Sequence, residues 1–305
     1  MGWRQRIGWF AVTKRARNPR TRPTATKREK VRDVYVARPF AGLPDEVEWI
    51  ALRELVPAAT APLTLAPALA ERYPDRSVTL ATVLPMAWPA MIRPDGRIFI
   101  GLQRHQQSGD VSRDLAEAVL RALDTEPGAT VTVPALPGEG PRLADVLAVE
   151  PLQVTVHDGY EFWLDPGAID DPNVKASLEQ ANAAIYPTVR LAAAPAAYWC
   201  RVTGKAHVRW VLPDDEEPAL DALSRLAGAG ELVLGDGTRF AGMFRAHGLL
   251  VPVWDLPPRS EAAEWEAPVA DFAKRYADAL GVADPITPAE RRARQGLLAR
   301  QLTVR

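Results

Sequence analysis

RFAGMFRAHGLLVPVWD, residues 239–255, decides how the chain is organised, because it aligns without a gap with RLADVLAVEPLQVTVHD, residues 142–158. Six of the seventeen positions are identical: Arg142/Arg239, Ala144/Ala241, Leu152/Leu249, Val154/Val251, Val156/Val253 and Asp158/Asp255. A second pair, VTLATVLPMAW (78–88) and VRLAAAPAAYW (189–199), aligns upstream and ends on Trp88/Trp199. Two collinear blocks separated by the same kinds of element point to an internal duplication. The fold class expected is α/β (α+β). Two tandem duplicated mixed-sheet modules form a pseudo-dimer, with a disordered basic N-terminal tail and C-terminal helices.

Working outward, the spacing of apolar residues supplies the elements. Residues 43–55 read as a helix with Leu43, Val47, Ile50, Ala51 and Leu55 on one face. SVTLATVL (77–84) reads as a strand, AMIRPDGRIFIGL (90–102) as a hairpin, and DVSRDLAEAVLRAL (110–123) as a helix. ATVTV (129–133) is a strand, 141–148 a short helix, and LQVTVHDGYEFWL (152–164) a hairpin bent at Asp158-Gly159. The second half offers a helix over 172–185, then strands at 188–194, 197–202 and 206–212. A helix from PALDALSRLAG and a strand from ELVL follow. RFAGMFRA reads as a short helix capped by Thr238 and ended by Gly248, with LLVPVW a strand after it. Residues 260–280 carry an apolar stripe of Trp265, Val269, Phe272, Tyr276 and Leu280. Thr287, Pro288 and Glu290 form a capping-box start for a basic last helix. The boundaries are therefore 1–38 for the tail, 39–170 and 171–259 for the modules, and 260–305 for the C-terminal helices.

The net charge of −1 conceals an asymmetry. Residues 1–38 carry twelve Lys/Arg against two acids and residues 288–305 five Arg against one Glu, which leaves 39–287 at −15. Residues 13–32 lack apolar periodicity and cannot bury enough surface to fold. Their Lys14, Arg15, Arg17, Arg20, Arg22, Lys27, Arg28, Lys30 and Arg32 suit phosphate contacts that read no sequence, or else form a solvated tail. MGWRQRIGWFA differs in character from this tail, and Val12 is the expected native start. The apolar run there is too short and too charged for a signal peptide, and no stretch suits a membrane span, so a cytoplasmic location is expected.

Chemistry is sparse. One cysteine, Cys200, excludes a disulfide framework, and its place beside Trp199 in a strand marks it as a buried, inert thiol. The four histidines, His105, His157, His207 and His247, show no helical metal spacing, and no metal or cofactor is expected. The acidic run 214–217 before a helix favours the helix dipole over a cation site. There is no phosphate-cradling loop and no nucleophile elbow. What remains is Arg239, Arg245, His247 and Asp255, candidates for a catalytic site in the cleft between the modules.

RPFAGLPDEVEWIALRELVPAATAPLTL (38–65) and GTRFAGMFRAHGLLVPVWDL (237–256) resemble a family of uncharacterised actinobacterial proteins. Some members carry loose labels such as topoisomerase or preprotein translocase. The chain has no ATP-binding loop or suitably placed nucleophilic tyrosine to match them, and the resemblance implies no catalytic residue. The functional expectation is a non-enzymatic binding or adaptor protein, with an acidic body for a protein partner and basic ends for RNA or the ribosome. The alternative is an enzyme whose site lies between the modules.

Overall fold

The segment EVEWIALRE leaves no side free for solvent: everything from Val47 to Arg53 is buried, Glu48 included. A helix so enclosed needs protein on all sides. The computed structural model describes residues 31–300 apart from Pro166. In it, this segment is helix α1 (Glu46–Glu54), packed between two five-stranded sheets. The tail residues up to Lys30, with the proposed start at Val12, lie outside the described residues, as do 301–305.

The first sheet contains β1 (Ala59–Leu63), β2 (Val78–Val83), β3 (Ala90–Ile92), β4 (Ile98–Gln103) and β5 (Thr155–Val156), in the order β3-β4-β2-β1-β5. It is mixed, with β2 and β4 parallel. The second contains β6 (Thr188–Arg190), β7 (Ala197–Val202), β8 (Lys205–Trp210), β9 (Arg239–Ala246) and β10 (Leu249–Leu256), in the order β6-β7-β8-β10-β9. All its pairings are antiparallel, where the sequence led us to expect a mixed sheet. Three hairpins and one return past a helix build it, so no strand needs a parallel crossover.

Helices complete the layers: α2 (Pro67–Arg72), α3 (Val111–Leu123), α4 (Leu143–Val146), α5 (Pro172–Asn182), α6 (Glu216–Ala229), α7 (Glu266–Leu280) and α8 (Pro288–Leu298). Leu80, Ile98, Ile100 and Leu102 of the first sheet share one core with α1, α3 and Tyr198, Phe244, Leu249 and Val251 of the second. On its other face the second sheet packs Trp199, Val208, Trp210 and Trp254 against α6 and α7. The two halves are thus joined by a common core, and the described residues from Arg32 onward form one compact unit.

Several sequence expectations are corrected. RFAGMFRA is strand β9, not a helix. Phe240 pairs with Trp254 and Gly242 with Val253, so Ala241 is the extra residue of a bulge. The bulge puts Phe240 and Met243 on the same side, facing Trp254 and the α6–α7 core, and their spacing of three imitates a helix. The helix-strand unit at 142–158 therefore has a strand-strand unit opposite it in the alignment. Likewise 78–88 contains β2, whereas 189–199 spans the end of β6, a turn and the start of β7. The chain builds two five-stranded sheets in succession, but these blocks occupy different elements within them.

Residues 129–133 and 152–164 form neither the strand nor the hairpin expected. Val131 is buried without a ladder, Thr155–Val156 pairs with β1, and Glu161–Trp163 is a 3-10 turn. ELVL is not a strand either, because side chains take its carbonyls: Arg275 reaches those of Glu231 and Val233, and Trp254 Nε1 that of Leu232.

Mid-helix Glu48 fixes how α1 meets the second sheet. Its Oε1 accepts from Arg190 Nε at 2.9 Å and Nη2 at 2.6 Å, and from the Ala196 N–H at 2.9 Å. Oε2 accepts from the Tyr198 hydroxyl at 2.7 Å. Ala196 has φ 55°, a left-handed conformation costing about 1 kcal/mol for a residue with a Cβ, and its held N–H helps to keep it there. Burial, then the Glu48 charge, pushes the Tyr198 hydroxyl far above its ordinary value. Glu48→Leu leaves two buried donors without an acceptor and should cost about 3 kcal/mol or more in urea unfolding; a loss under about 1 kcal/mol would contradict this role. A tyrosine pKa raised in the fold stabilises below the unfolded value of 10.0 and ceases to do so as pH climbs through the folded value. Circular dichroism should therefore show alkaline unfolding setting in above about pH 10, and later in Tyr198→Phe.

Candidate functional site

Beyond Glu48, α1 runs toward solvent, and its last residue, Glu54, reaches the turn joining β9 and β10. That turn is His247-Gly248, both at positive φ (48° and 87°), the two-residue geometry that suits hairpin twist. A Cβ on Gly248 would stand 3.2 Å from Arg38 Cβ, so glycine is needed there for space as well as conformation. The turn aims His247 Nε2 at Glu54 Oε1, 2.9 Å away. Phe40 meets the imidazole edge-on at 5.5 Å.

Around this pair lies a cleft of about 360 Å³ lined from both halves, with Glu54, Gln107, Ser108 and Val111 on one side and Arg245, Ala246 and His247 on the other. Tyr35 and Val36 close one edge. They are held by an extended strap: Asp33 Oδ1 accepts from Gly109 N at 2.6 Å, and Val36 N donates to Gly109 O at 2.9 Å. Gly109 is needed for this approach, since a Cβ would lie 2.6 Å from Val34 O.

Behind the cleft, buried Arg53 donates to Leu102 O and Gln107 Oε1, and its Nε stands 3.4 Å from Glu54 Oε1. Arg104 pairs with the buried Asp114 at 3.0 Å. Burial alone would raise the Glu54 carboxyl, but the His247 bond and the Arg53 charge outweigh it and hold Glu54 below the ordinary carboxylate range.

Of the four residues expected in one site, the structure brings only Arg245 and His247 together. Arg239 and Asp255 face each other at the open end of the same hairpin. There the register sets Cys200, His207, Asp255 and Arg239 in one row across β7, β8, β10 and β9. A Cys-His-Asp row invites a nucleophile reading, but burial pushes the Cys200 thiol up, and burial with Arg209 pushes His207 down. A neutral thiol beside a neutral imidazole fits the inert cysteine expected from sequence.

The acidic run is neither a cation site nor only a dipole partner. Asp214 accepts from Tyr276 of α7, Asp215 from Arg38, Glu216 from Arg245 of β9 and Glu217 from Arg294 of α8. Arg245 is thereby tied to α6. Among the described residues, no group of three His, Cys, Asp or Glu could hold a metal ion. Sequence reasoning missed Glu54, Gln107 and Tyr35. Glu54 had a signal, being a carboxylate that ends a helix with a legible apolar face, whereas Gln107 and Tyr35 had none.

The depressed Glu54 pKa sets an acid limit. Its stabilisation is present above the unfolded value of 4.5 and lost as pH falls through the lower folded value. Urea unfolding of wild type and Glu54→Gln should therefore differ most at about pH 6 and converge toward about pH 3; a constant gap would assign the pKa shift elsewhere.

Comparison with known proteins adds a family but no activity. A family model described as a family of unknown function, DUF5926, matches residues 39–305. No curated protein and no solved structure matches the chain. Among the described residues, no helix is long and apolar enough to cross a membrane. The match runs through both sheets, the cleft lining from Glu54 to His247 and the C-terminal helices, and the chain therefore belongs to DUF5926, a family of unknown function.

Proposed function

We propose that the protein is a cytoplasmic, non-enzymatic binding or adaptor protein that contacts RNA, free or in the ribosome, through its basic ends and offers its acidic body to a protein partner. The observation that carries this reading is the charge division, nine Lys/Arg against one Glu in residues 13–32 beside a segment 39–287 at −15. Counterion release makes such a tail a phosphate binder, while the body repels nucleic acid and confines contact to the ends. On the C-terminal helix α8, Arg294 is held by Glu217 and Asp221, and Arg291 and Arg292 remain exposed.

The alternative, an enzyme at the seam, draws support from one feature: Glu54 orients His247 as a carboxylate orients a general base. A nucleophile is what it lacks. The hydroxyls among the described lining residues are those of Tyr35 and Ser108. Ser108 Oγ already accepts from Asp110 N at 3.2 Å, and the Tyr35 side chain is turned to solvent.

Binding of a labelled RNA across a salt series separates the readings. The full chain should bind at low salt with a log–log slope of at most about −6, the value for nine phosphate contacts on a single strand. Replacing the nine Lys/Arg of residues 14–32 by glutamine should abolish that slope. An unchanged slope would remove the tail from the mechanism.

A further inference from the structure

Between β2 and β3 two large apolar side chains stand out from a single turn, Met86 at 73% exposure and Trp88 at 47%. The turn is strained: Met86 (φ 56°) and Ala87 (φ 48°) are consecutive left-handed residues, a conformation that a residue with a Cβ keeps only where its surroundings enforce it. Here they do. Pro85 and Pro89 flank the turn, Ala87 N donates to Leu84 O at 2.9 Å and Trp88 N to Pro85 O at 3.1 Å. The Trp88 carbonyl crosses so close over Gly101 of β4 that a Cβ there would collide with it. We infer that this turn and the aromatic cover beside it form the surface on which the body receives its protein partner, a segment carrying large apolar residues among Lys and Arg. The inference deepens the reading of the acidic body as a partner surface and rests on it.

The two sheets differ in how their outer faces are covered. On the second, α6 and α7 close over Trp199, Trp210 and Trp254. On the first, strand alternation sends Leu80, Ile98 and Ile100 to the shared core and Ala81 and Phe99 to the opposite side. There Phe162 and Trp163 cover Ala81, Leu84 and Phe99, with Met91 beside them, and all three covering side chains are only partly buried. Leu84 packs under these rings and also begins the Met86–Trp88 turn, so the exposed turn and the aromatic cover are continuous. The rings are fixed in place. Tyr160 stacks on Trp163 at 4.1 Å, Phe162 meets Trp163 edge-on at 6.1 Å, and Trp163 Nε1 donates to Val83 O at 2.9 Å. A rigid strip with tryptophan at its exposed end loses little conformational entropy when a partner covers it.

Charge decides the chemistry of the occupant. From Asp158 to Glu179 the chain carries six carboxylates against one cation, Lys175. Two of them adjoin the rings: Glu161 precedes Phe162 and accepts from the neutral Asn182 at 2.9 Å, and Asp158 follows His157, whose ring lies 4.8 Å from that of Phe162. The arginines at this edge are already held, Arg93 by Asp165 at 2.6 Å and Arg97 by Asp95 at 2.7 Å. A second copy of the chain would set these carboxylates against their own images, and a nucleic acid would be repelled outright. Lys and Arg are attracted, and their stems can lie along exposed rings while their charges meet the rim.

The test uses the full chain and two labelled synthetic peptides of about 14 residues, each an amphipathic helix with leucines on one face. The other face carries lysines in one peptide and glutamates in the second. Fluorescence anisotropy at low salt should show the lysine peptide bound and the glutamate peptide free. Met86→Gly combined with Trp88→Ala removes both side chains and relieves the left-handed backbone at residue 86; it should weaken the lysine peptide at least about 10-fold, the scale of an interface anchor. Should urea unfolding show that variant to be unfolded, Met86→Lys alone should weaken the peptide roughly 5-fold. A lysine peptide bound equally well by these folded variants overturns the surface and leaves the acidic-body reading standing. Equal binding of the two peptides by wild type overturns the charge argument and the inference with it. A dimer that dissociates in the Trp88 variant, or binding to phosphatidylcholine vesicles that is lost in it, assigns the turn to a second copy or a lipid surface and likewise overturns the inference. If the lysine peptide does not bind wild type at low salt, the inference and the acidic-body reading both fall.

Discussion

A carboxylate taken wholly out of water is costly unless its oxygens are fully engaged, and Glu48 satisfies that condition only when the two halves are together. Its four hydrogen bonds all come from the second half, from Arg190, Ala196 and Tyr198. Rotating α1 by one residue would bury the charge among aliphatic side chains. The apolar neighbours of Glu48 on α1 supply most of the burial free energy, but they are tolerant of small slips. The carboxylate is not, and so it sets the register of helix on sheet. Everything further along α1 inherits that register, including the placement of Glu54 opposite the β9–β10 turn.

The same helix therefore presents a dry contact in its middle and a wet one at its end. Around Glu48 the seam is closed by Tyr198 and the shared core. At Glu54 it opens, because the β9–β10 turn projects a histidine and not an aliphatic residue, and the strap at residues 33–36 covers only one edge. The run Asp214 to Glu217 fixes the surroundings from outside. It binds α7, the strap segment, β9 and α8 to the start of α6, each through a different residue. Such exposed pairs contribute little individually. Their collective effect is orientation: they fix where Arg245 and Arg38 can stand around the cleft.

How legible this was in the sequence depended on whether one chain segment or several created the feature. The capped helix starting at Thr287 and the hairpin around Pro94-Asp95-Gly96 are set by their own residues, and both were read correctly. β9 was misread because its bulge produces helical spacing, although His247-Gly248 between two apolar runs was a hairpin signal that should have prevailed. The strand assigned to residues 231–234 failed for a different reason. Arg275 and Trp254, both distant in sequence, satisfy its carbonyls, and no local pattern announces that. In the site, His247 and Arg245 stood out as polar departures within an apolar repeat, and both do line the cleft. Arg239 and Asp255 are identical in the two aligned blocks and were grouped with them as candidates, yet seven residues of extended strand carry Arg239 to the far end of the hairpin. Sequence proximity grouped all four; the strand geometry of about 3.3 Å per residue separates them.

That separation also bears on what the cleft can do. Glu54 stands within hydrogen-bonding reach of His247, while Ser108 among the described lining residues exchanges hydrogen bonds with Asp110. Cys200, His207 and Asp255 share a row, but in a part of the sheet where burial keeps the thiol protonated. Recognition makes a smaller demand: fixed donors and acceptors and an apolar wall. Arg53 holds Gln107, Glu54 holds His247, and Val111 and Ala246 furnish the wall. The two bonds hold the polar groups of the cleft in fixed positions, which is the preorganisation that recognition of a ligand requires.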